Sequence, residues 1–390
     1  MPLIDAIAAM EDELRAWRRD IHAHPELGFE EHRTADFVAQ KLAGFGIDVV
    51  RGVGRTGVVG TLREGNETRS VGLRADMDAL PILEDNGFAH HSTVVGTMHA
   101  CGHDGHTAML LGAAKYLAET RNFRGQVHFI FQPAEEGIGG ARAMIADGLF
   151  EQFPCDELYA MHNAPGVPVG QFGATPGIRT AAGAFFDIDI IGTGAHGAFP
   201  DQGVDPVIIA AELVTSLQSI VSRNTRPSET AVLSVTQLHA GDAYNVIPDR
   251  ARLSGTVRTL SVELMRDIEA RMRQRASSIA AAHGGRAEVD FRTIFHPVVN
   301  DEGVSRTAAD VCCGLVGEDQ VLTDTPPGTG SEDFSFMAER VPACYLILGN
   351  GGSAPLHNSH YDFNDDALVY GASFFAGIVE HVLSRERTRG

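Results

Sequence analysis

The chain has 390 residues, 44% of them hydrophobic and 21% charged, which is a globular composition too long for one ordinary core, so two domains are expected. Its formal net charge of −20 excludes phosphate-backbone recognition, which needs a basic face, and no nucleic-acid partner is expected. It contains no run of about 20 apolar residues, so no membrane contact by a spanning helix is expected.

Residues 3–22 and 30–45 read as helices. In the second, Phe37, Val38, Leu42 and Phe45 fall at helical spacing, and Gly44 and Gly46 end it. The opening residues carry acids early and lack an apolar core with a cleavage site, unlike a secretory signal. Short β-type runs follow at 47–53, 57–62 and 71–75. An apolar helix is predicted at 106–121, a strand at 126–132, a helix at about 139–147 stopped by Gly148, and a strand at 157–162. Strands alternating with helices predict an α/β layer around a buried sheet.

The rhythm then changes. Residues 184–192 alternate as a strand. A helix follows at 205–223, with Ile208, Ile209, Leu213, Leu217 and Ile220 on one side. Strands at 230–238 and 250–259, a helix at 261–283 and a strand at 286–295 complete a β-α-β-β-α-β unit of ferredoxin-like order. α/β character returns after about 298. The expected fold is thus an α/β/α domain formed by residues 1–182 and 297–390, with a ferredoxin-like domain, 183–296, inserted in a surface loop.

Four clusters could carry chemistry. The densest holds His99, Cys101, His103, Asp104 and His106 within eight residues. Cys101 and His103 are two apart and would not share a helix face. They suit a glycine-shaped loop just before the 106–121 helix, and a thiolate with an imidazole is a good transition-metal pair. Glu135 and Glu136 follow a strand, where one carboxylate can bind metal while the other moves protons. His162 ends another strand. His357 and His360 lie near the C-terminus, and either fits as a ligand. Each cluster is expected at or just after a strand's C-terminal end, the edge where open α/β sheets bind ligands. Upstream, Asp76 or Asp78 is placed to orient a ligand histidine. The five cysteines (Cys101, Cys155, Cys312, Cys313 and Cys344) are odd in number and irregularly spaced. They form no disulfide framework, and a reducing, cytoplasmic location is the expectation. Cys312 and Cys313 read as small core residues.

The segments RRDIHAHPELGFEE, GLRADMDALP, GTMHACGHDGHTAMLLGAA, FIFQPAEEGIGGA, GTGAHGAFPDQGVDP, NVIPDRARLSGTVRT, GSEDFS and LHNSHYDFNDDAL resemble the M20 metallopeptidase family. The likeness is to the branch of hippurate hydrolases, indole-acetyl-amino-acid hydrolases and N-acyl-amino-acid amidohydrolases, and it runs in order from about residue 15 to 370. The resemblance implies an aminopeptidase-like catalytic domain with an inserted lid through which chains pair as a homodimer, with a homotetramer as the alternative. It implies Cys101, His103, Glu136, His162 and His357 as ligands of two divalent ions, with His360 the competing choice for the last position. Glu135 is implied as general base, with Asp78 and His196 completing the catalytic set. His196 resembles a lid histidine that reaches a partner subunit's site, and Asn245 and Arg258 resemble lid contacts to the substrate's carboxylate end. His99, Asp104 and His106 take supporting places. Familiar members carry His-x-Asp where this chain has Asp76 and Asp78, and an aspartate in the place of Cys101. Metal identity is therefore left among zinc, cobalt, nickel and manganese.

The expected activity is hydrolysis of N-acyl amino acids, a small-molecule substrate, by a metal-activated water. Three alternatives remain open in the sequence: a dipeptidase or carboxypeptidase of the same fold, a metal-independent cysteine amidase using Cys101 with His103 or His106 as base, and a non-catalytic binding protein.

Overall fold

The computed structural model describes residues 3–384; residues 1–2 and 385–390 of the predicted α/β/α domain lie outside the described residues. The chain divides into two compact units. One comprises Met1–Arg179, Val298–Pro326 and Asp333–Gly390, and the other Thr180–Pro297 and Pro327–Glu332.

The first unit is built on an eight-stranded mixed sheet. Its centre is parallel: the strand Gly125–Gln132 pairs with Ser70–Asp76, that with Glu157–Pro165, and that with Ala343–Gly351. The hairpin Asp48–Val53 and Gly57–Glu64 extends one side antiparallel. The central strands are apolar almost throughout because both faces are covered. Phe129 and Phe131 join one core with Tyr159 and Met161, while Ile130, Leu158 and Ala160 join the other. That alternation is the period-two geometry of a strand read on both faces. The helices Glu11–Ala23, His103–Thr120 and Ala367–Val382 supply most of the larger core, including Leu14, Leu110, Leu111 and Phe375.

Two boundaries differ from expectation. The predicted helix at 3–22 is two helices, Asp5–Ala8 and Glu11–Ala23, because the chain leaves helical geometry at Met10, whose φ/ψ of −94°/6° precede the second helix. The helix expected from 106 begins at His103. Its start is set by Gly102, at φ +92°, where a Cβ would come within 2.3 Å of Asn163 Oδ1 and 2.6 Å of Tyr361 Oη. Only glycine fits that corner. Of the vicinal cysteines, Cys312 is buried and Cys313 only partly so.

The second unit is a four-stranded antiparallel sheet. Its strands lie in the order Ala231–Ala240, Arg250–Thr259, Ala182–Ile191, Arg286–Phe295. With the helices Pro206–Asn224 and Val262–Ala282 this is the predicted ferredoxin-like arrangement. Asp205 and Ser261 cap those helices through Val207 N (2.8 Å) and Leu264 N (3.0 Å). Phe186, Ile188 and Ile190 point into the helix-covered core. The intervening Asp187 faces the other way, taking Ser254 Oγ at 2.5 Å and Arg292 at 2.7 Å.

Candidate metal and catalytic site

Because the four central strands of the first unit are parallel, their C-terminal ends open on one edge. Asp76 closes one strand, with Asp78 just beyond, and Gln132 closes the next, with Glu135 and Glu136 following it. His357 lies in the segment after Ala343–Gly351. The expectation that every cluster follows a strand needs two corrections. His162 lies inside its strand, Glu157–Pro165. The Cys101–His103 pair follows a long strandless connection from Asp76 and reaches the edge from a helix N-terminus instead.

Cys101 Sγ is 3.4 Å from His162 Nε2. His162 Nδ1 lies 2.8 Å from the Asn163 carbonyl, which only accepts, so Nδ1 carries the proton and Nε2 turns a lone pair towards Cys101. His103 follows the same logic. Its Nδ1 faces the Asp78 carbonyl at 2.9 Å and Asp78 Oδ1 at 3.2 Å. Its buried Nε2 has no hydrogen-bond partner among the described residues, with Asp76 Oδ2 3.7 Å away. Asp78 uses its second oxygen to accept from Glu136 N at 3.0 Å, and Glu136 Oε1 is 3.2 Å from His357 Nε2. The donor atoms of Cys101, His103 and His162 lie within 4.8 Å of one another, as do those of Cys101, Glu136 and His357, and those of His103, Glu135 and Glu136. Overlapping triads that share Cys101 are the arrangement expected of two adjacent cation sites. A buried imidazole nitrogen that makes no hydrogen bond fits such a use, because a polar atom left unsatisfied inside a protein is costly.

Burial and charge act differently on each donor. Burial pushes the Cys101 thiol well up, and Glu136, Glu135 and Asp76 push it further. A nucleophilic cysteine needs the opposite shift, whereas a bound cation would favour its thiolate. Burial, reinforced by His106, holds His162 down at about 3, so it stays a neutral donor. Burial also disfavours a charged His103, but Asp76 and Asp78 outweigh it and raise the imidazole to about 10. His357 is raised by its bond to Glu136.

The sequence matches the family model "Peptidase family M20/M25/M40" over residues 72–381. The chain belongs to the M20 peptidase family. It is 42% identical to the hippurate hydrolase of Campylobacter jejuni, over 96% of this chain and 98% of that one. It is 36% identical to the N-acetylcysteine deacetylase of Bacillus subtilis, over 94% of this chain and 96% of that one. Among solved structures it resembles the Bacillus subtilis YxeP protein, described as a dinuclear metal-binding peptidase of the M20 family, with a TM-score of 0.82, 33% identity and coverage of 96% and 99%. This M20 protein is a metal-binding hydrolase of amide bonds. No helix among its described residues is long and apolar enough to cross a membrane.

Behind the M20 site stands a buried lattice that sequence reading named only in part. Asp76 accepts from Arg74 at 2.7 Å and from His106 Nδ1 at 2.6 Å. His106 Nε2 contacts Asn163 Oδ1 at 2.8 Å, and Asn163 Nδ2 donates to Tyr361 Oη at 2.6 Å. Arg74 and Asp333 meet on the two ends of the Gln132 amide, at 2.8 and 2.6 Å. Arg18, fully buried, donates to Asp104 at 2.8 Å, Asp362 at 2.5 Å and Asp365 at 3.4 Å. Asp104 also meets His22 Nδ1 at 2.8 Å. His99 is buried, and neither of its ring nitrogens finds a hydrogen-bond partner among the described residues. His360 is exposed and lies 3.6 Å from Asp85, outside every donor cluster among the described residues. Arg18, Gln132, Asn163, Asp333 and Tyr361 were missed as site supports. The only signal for most of them was membership of the quoted segments.

In the second unit, the ribbon Ala195–His196 pairs with Val246–Ile247. It sets the exposed His196 beside Asn245, whose carbonyl accepts from Gly197 N at 2.8 Å. This ribbon adjoins the end of the sheet where Arg250 pairs with Ile191. Arg258 pairs with Gly183 at the other end, about 26 Å away at the usual rise per strand residue. There its guanidinium donates to Thr256 Oγ1 at 2.5 Å and lies 5.9 Å from the Phe185 ring centroid. Burial lowers its pKa, and no carboxylate pairs with it among the described residues. His196 and Asn245 are thus brought together, and Arg258 is held apart from them.

Proposed function

We propose that this M20 protein hydrolyses N-acyl amino acids of the hippurate and N-acetyl type, holding two divalent cations with Cys101, His103, Glu136, His162 and His357 and using Glu135 as general base. The observation that carries the reading is the set of overlapping donor triads centred on Cys101, with Glu135 beside them. The names of the relatives, a hippurate hydrolase and an N-acetylcysteine deacetylase, support the substrate class. Bound cations would polarise the scissile carbonyl and ease deprotonation of water. Glu135 takes that proton and returns it to the departing amino group. Asp78 orients the His103 ring and, through Glu136 N, the chain that carries both glutamates. The low basicity of His162 keeps its Nε2 available as a donor, and on His103, whose Nδ1 is pinned by Asp78, a bound cation would take the place of the Nε2 proton. Chelation followed by re-addition of manganese, zinc, cobalt or nickel tests this against N-benzoyl, N-acetyl and indole-acetyl amino acids and dipeptides. Activity should vanish with the metal and return with at least one ion, fastest on an N-acyl amino acid. Turnover that survives verified metal removal would establish the cysteine amidase instead, and preference for dipeptides would establish the peptidase.

The second unit serves this reading as a lid. Arg258 suits a substrate α-carboxylate, since guanidinium grips carboxylate in a fork. His196 and Asn245 belong to the ribbon that adjoins the other end of that sheet, so one lid does not bring all three to one substrate, and we assign the two groups to different chains of a homodimer. His196→Ala and Arg258→Ala should each be nearly inactive alone. Co-expressed, they should recover about a quarter of wild-type activity, because mixed dimers regain one intact site of two. Absence of recovery in isolated mixed dimers would place all three residues in one chain's site.

A further inference from the structure

Residues 26–31, within the first quoted segment, have no role in the mechanism above, yet they brace two of its turns. Leu27 bridges in parallel to Ala79, beside Asp78, and Ala79 N donates to the Glu26 carbonyl at 2.8 Å. Gly28 lies flat on Ala134: a Cβ there would come within 3.0 Å of Ala134 Cα and Cβ. Glu31 is fully buried. One of its oxygens accepts from Ala134 N at 2.8 Å and the other from Thr56 Oγ1 at 2.5 Å. No cationic side chain pairs with it among the described residues. Ala134, the residue immediately before Glu135, is left-handed, at φ +52°. An alanine stays in that region only where its surroundings over-determine it. Its carbonyl is held from the other side by Gly140 N at 3.0 Å.

We propose that Glu31 is the positioning residue of Glu135: its buried carboxylate pins the Ala134 amide and so locks the left-handed turn that aims the base. A carboxylate kept in the interior without a cation is expensive, and here it is spent on one backbone amide and one hydroxyl that water would otherwise serve. The inference rests on Glu135 being the base.

The test is steady-state kinetics of the metal-loaded enzyme on an N-benzoyl amino acid, with metal content measured on each sample. Glu31→Ala should lower kcat about 100-fold, the usual effect of misplacing a reacting group by an ångström, at unchanged KM and metal content. Glu31→Gln should recover most of that loss, because its amide oxygen still accepts from Ala134 N. Wild-type kcat in Glu31→Ala overturns the proposal, as does equal loss in both variants or loss of metal in step with kcat. If Glu31→Ala does not fold, Thr56→Val replaces it: a fall in kcat at constant KM and metal supports the proposal, and unchanged kcat overturns it. Glu135→Gln assayed alongside separates the two claims. If it turns over normally, the base assignment fails. If it is inactive while Glu31→Ala is normal, only the positioning fails.

Discussion

Glu135→Gln should lower kcat by a factor of about 10²–10⁴, the usual contribution of a general base, while the protein keeps its metal and its KM. Glutamine matches glutamate in size and keeps an oxygen that can accept from Asp333 N, which lies 3.4 Å from Glu135 Oε1. The turn between Ala134 and Gly140 is held by backbone bonds that the substitution leaves alone. Glu136 retains its carboxylate and its contact with His357. What disappears is the ability to carry a proton from water to the leaving amine, so the deficit should appear in kcat. Single-turnover kinetics with metal analysis decides the matter. Wild-type turnover in a fully loaded variant would remove Glu135 from the role, and loss of metal would make it a ligand.

The largest stability effect is expected at Arg18. Arg18→Ala would leave Asp104, itself fully buried, without the guanidinium that holds its pKa well below the carboxylate range. Removing one partner of a buried ion pair costs about 3–5 kcal/mol. Arg18→Lys should recover only part of this, since an ammonium cannot span Asp104, Asp362 and Asp365 as a planar fork does. Urea denaturation of the metal-free proteins measures it, and a change below about 1 kcal/mol, the range of an exposed pair, would show that the network contributes little. The same cluster makes the fold acid-sensitive. Burial works against an ionised Glu84, but bonds from His22, Asn86 and Ser92 N hold it down at about 2. Asp104 is lowered likewise. Both therefore contribute stability above the ordinary carboxylate range and lose it as pH falls towards their folded values. His22 is raised, and its share is lost in the other direction, as pH rises through its folded value.

The parallel centre of the sheet was legible because strands buried on both faces read as apolar runs, as 126–132 and 157–162 do. The antiparallel unit was legible by its alternation and its two long capped helices. Glu135 and Glu136, which share a donor cluster with His103, were legible as candidates because paired acids after a strand are conspicuous. The start of the helix at His103 was hidden by its polar first turn, and by a glycine whose left-handed geometry depends on Asn163 and Tyr361, far along the chain. Arg18 was invisible for a similar reason: its three carboxylates lie 86, 344 and 347 residues away, and nothing local distinguishes a buried arginine from a surface one. The opposed positions of Arg258 and His196 emerged only with the strand register.

The late strand Ala343–Gly351 does not extend the rim of the sheet; it lies between Glu157–Pro165 and Phe172–Gly173, both made long before it. During synthesis the first unit must therefore keep a slot open in its middle while the whole of the second unit is produced. The segment that fills the slot also brings His357 to Glu136. Capture of the full donor set thus becomes a late event of assembly, and a chain cut short before residue 343 would expose two unpaired strand edges to its neighbours.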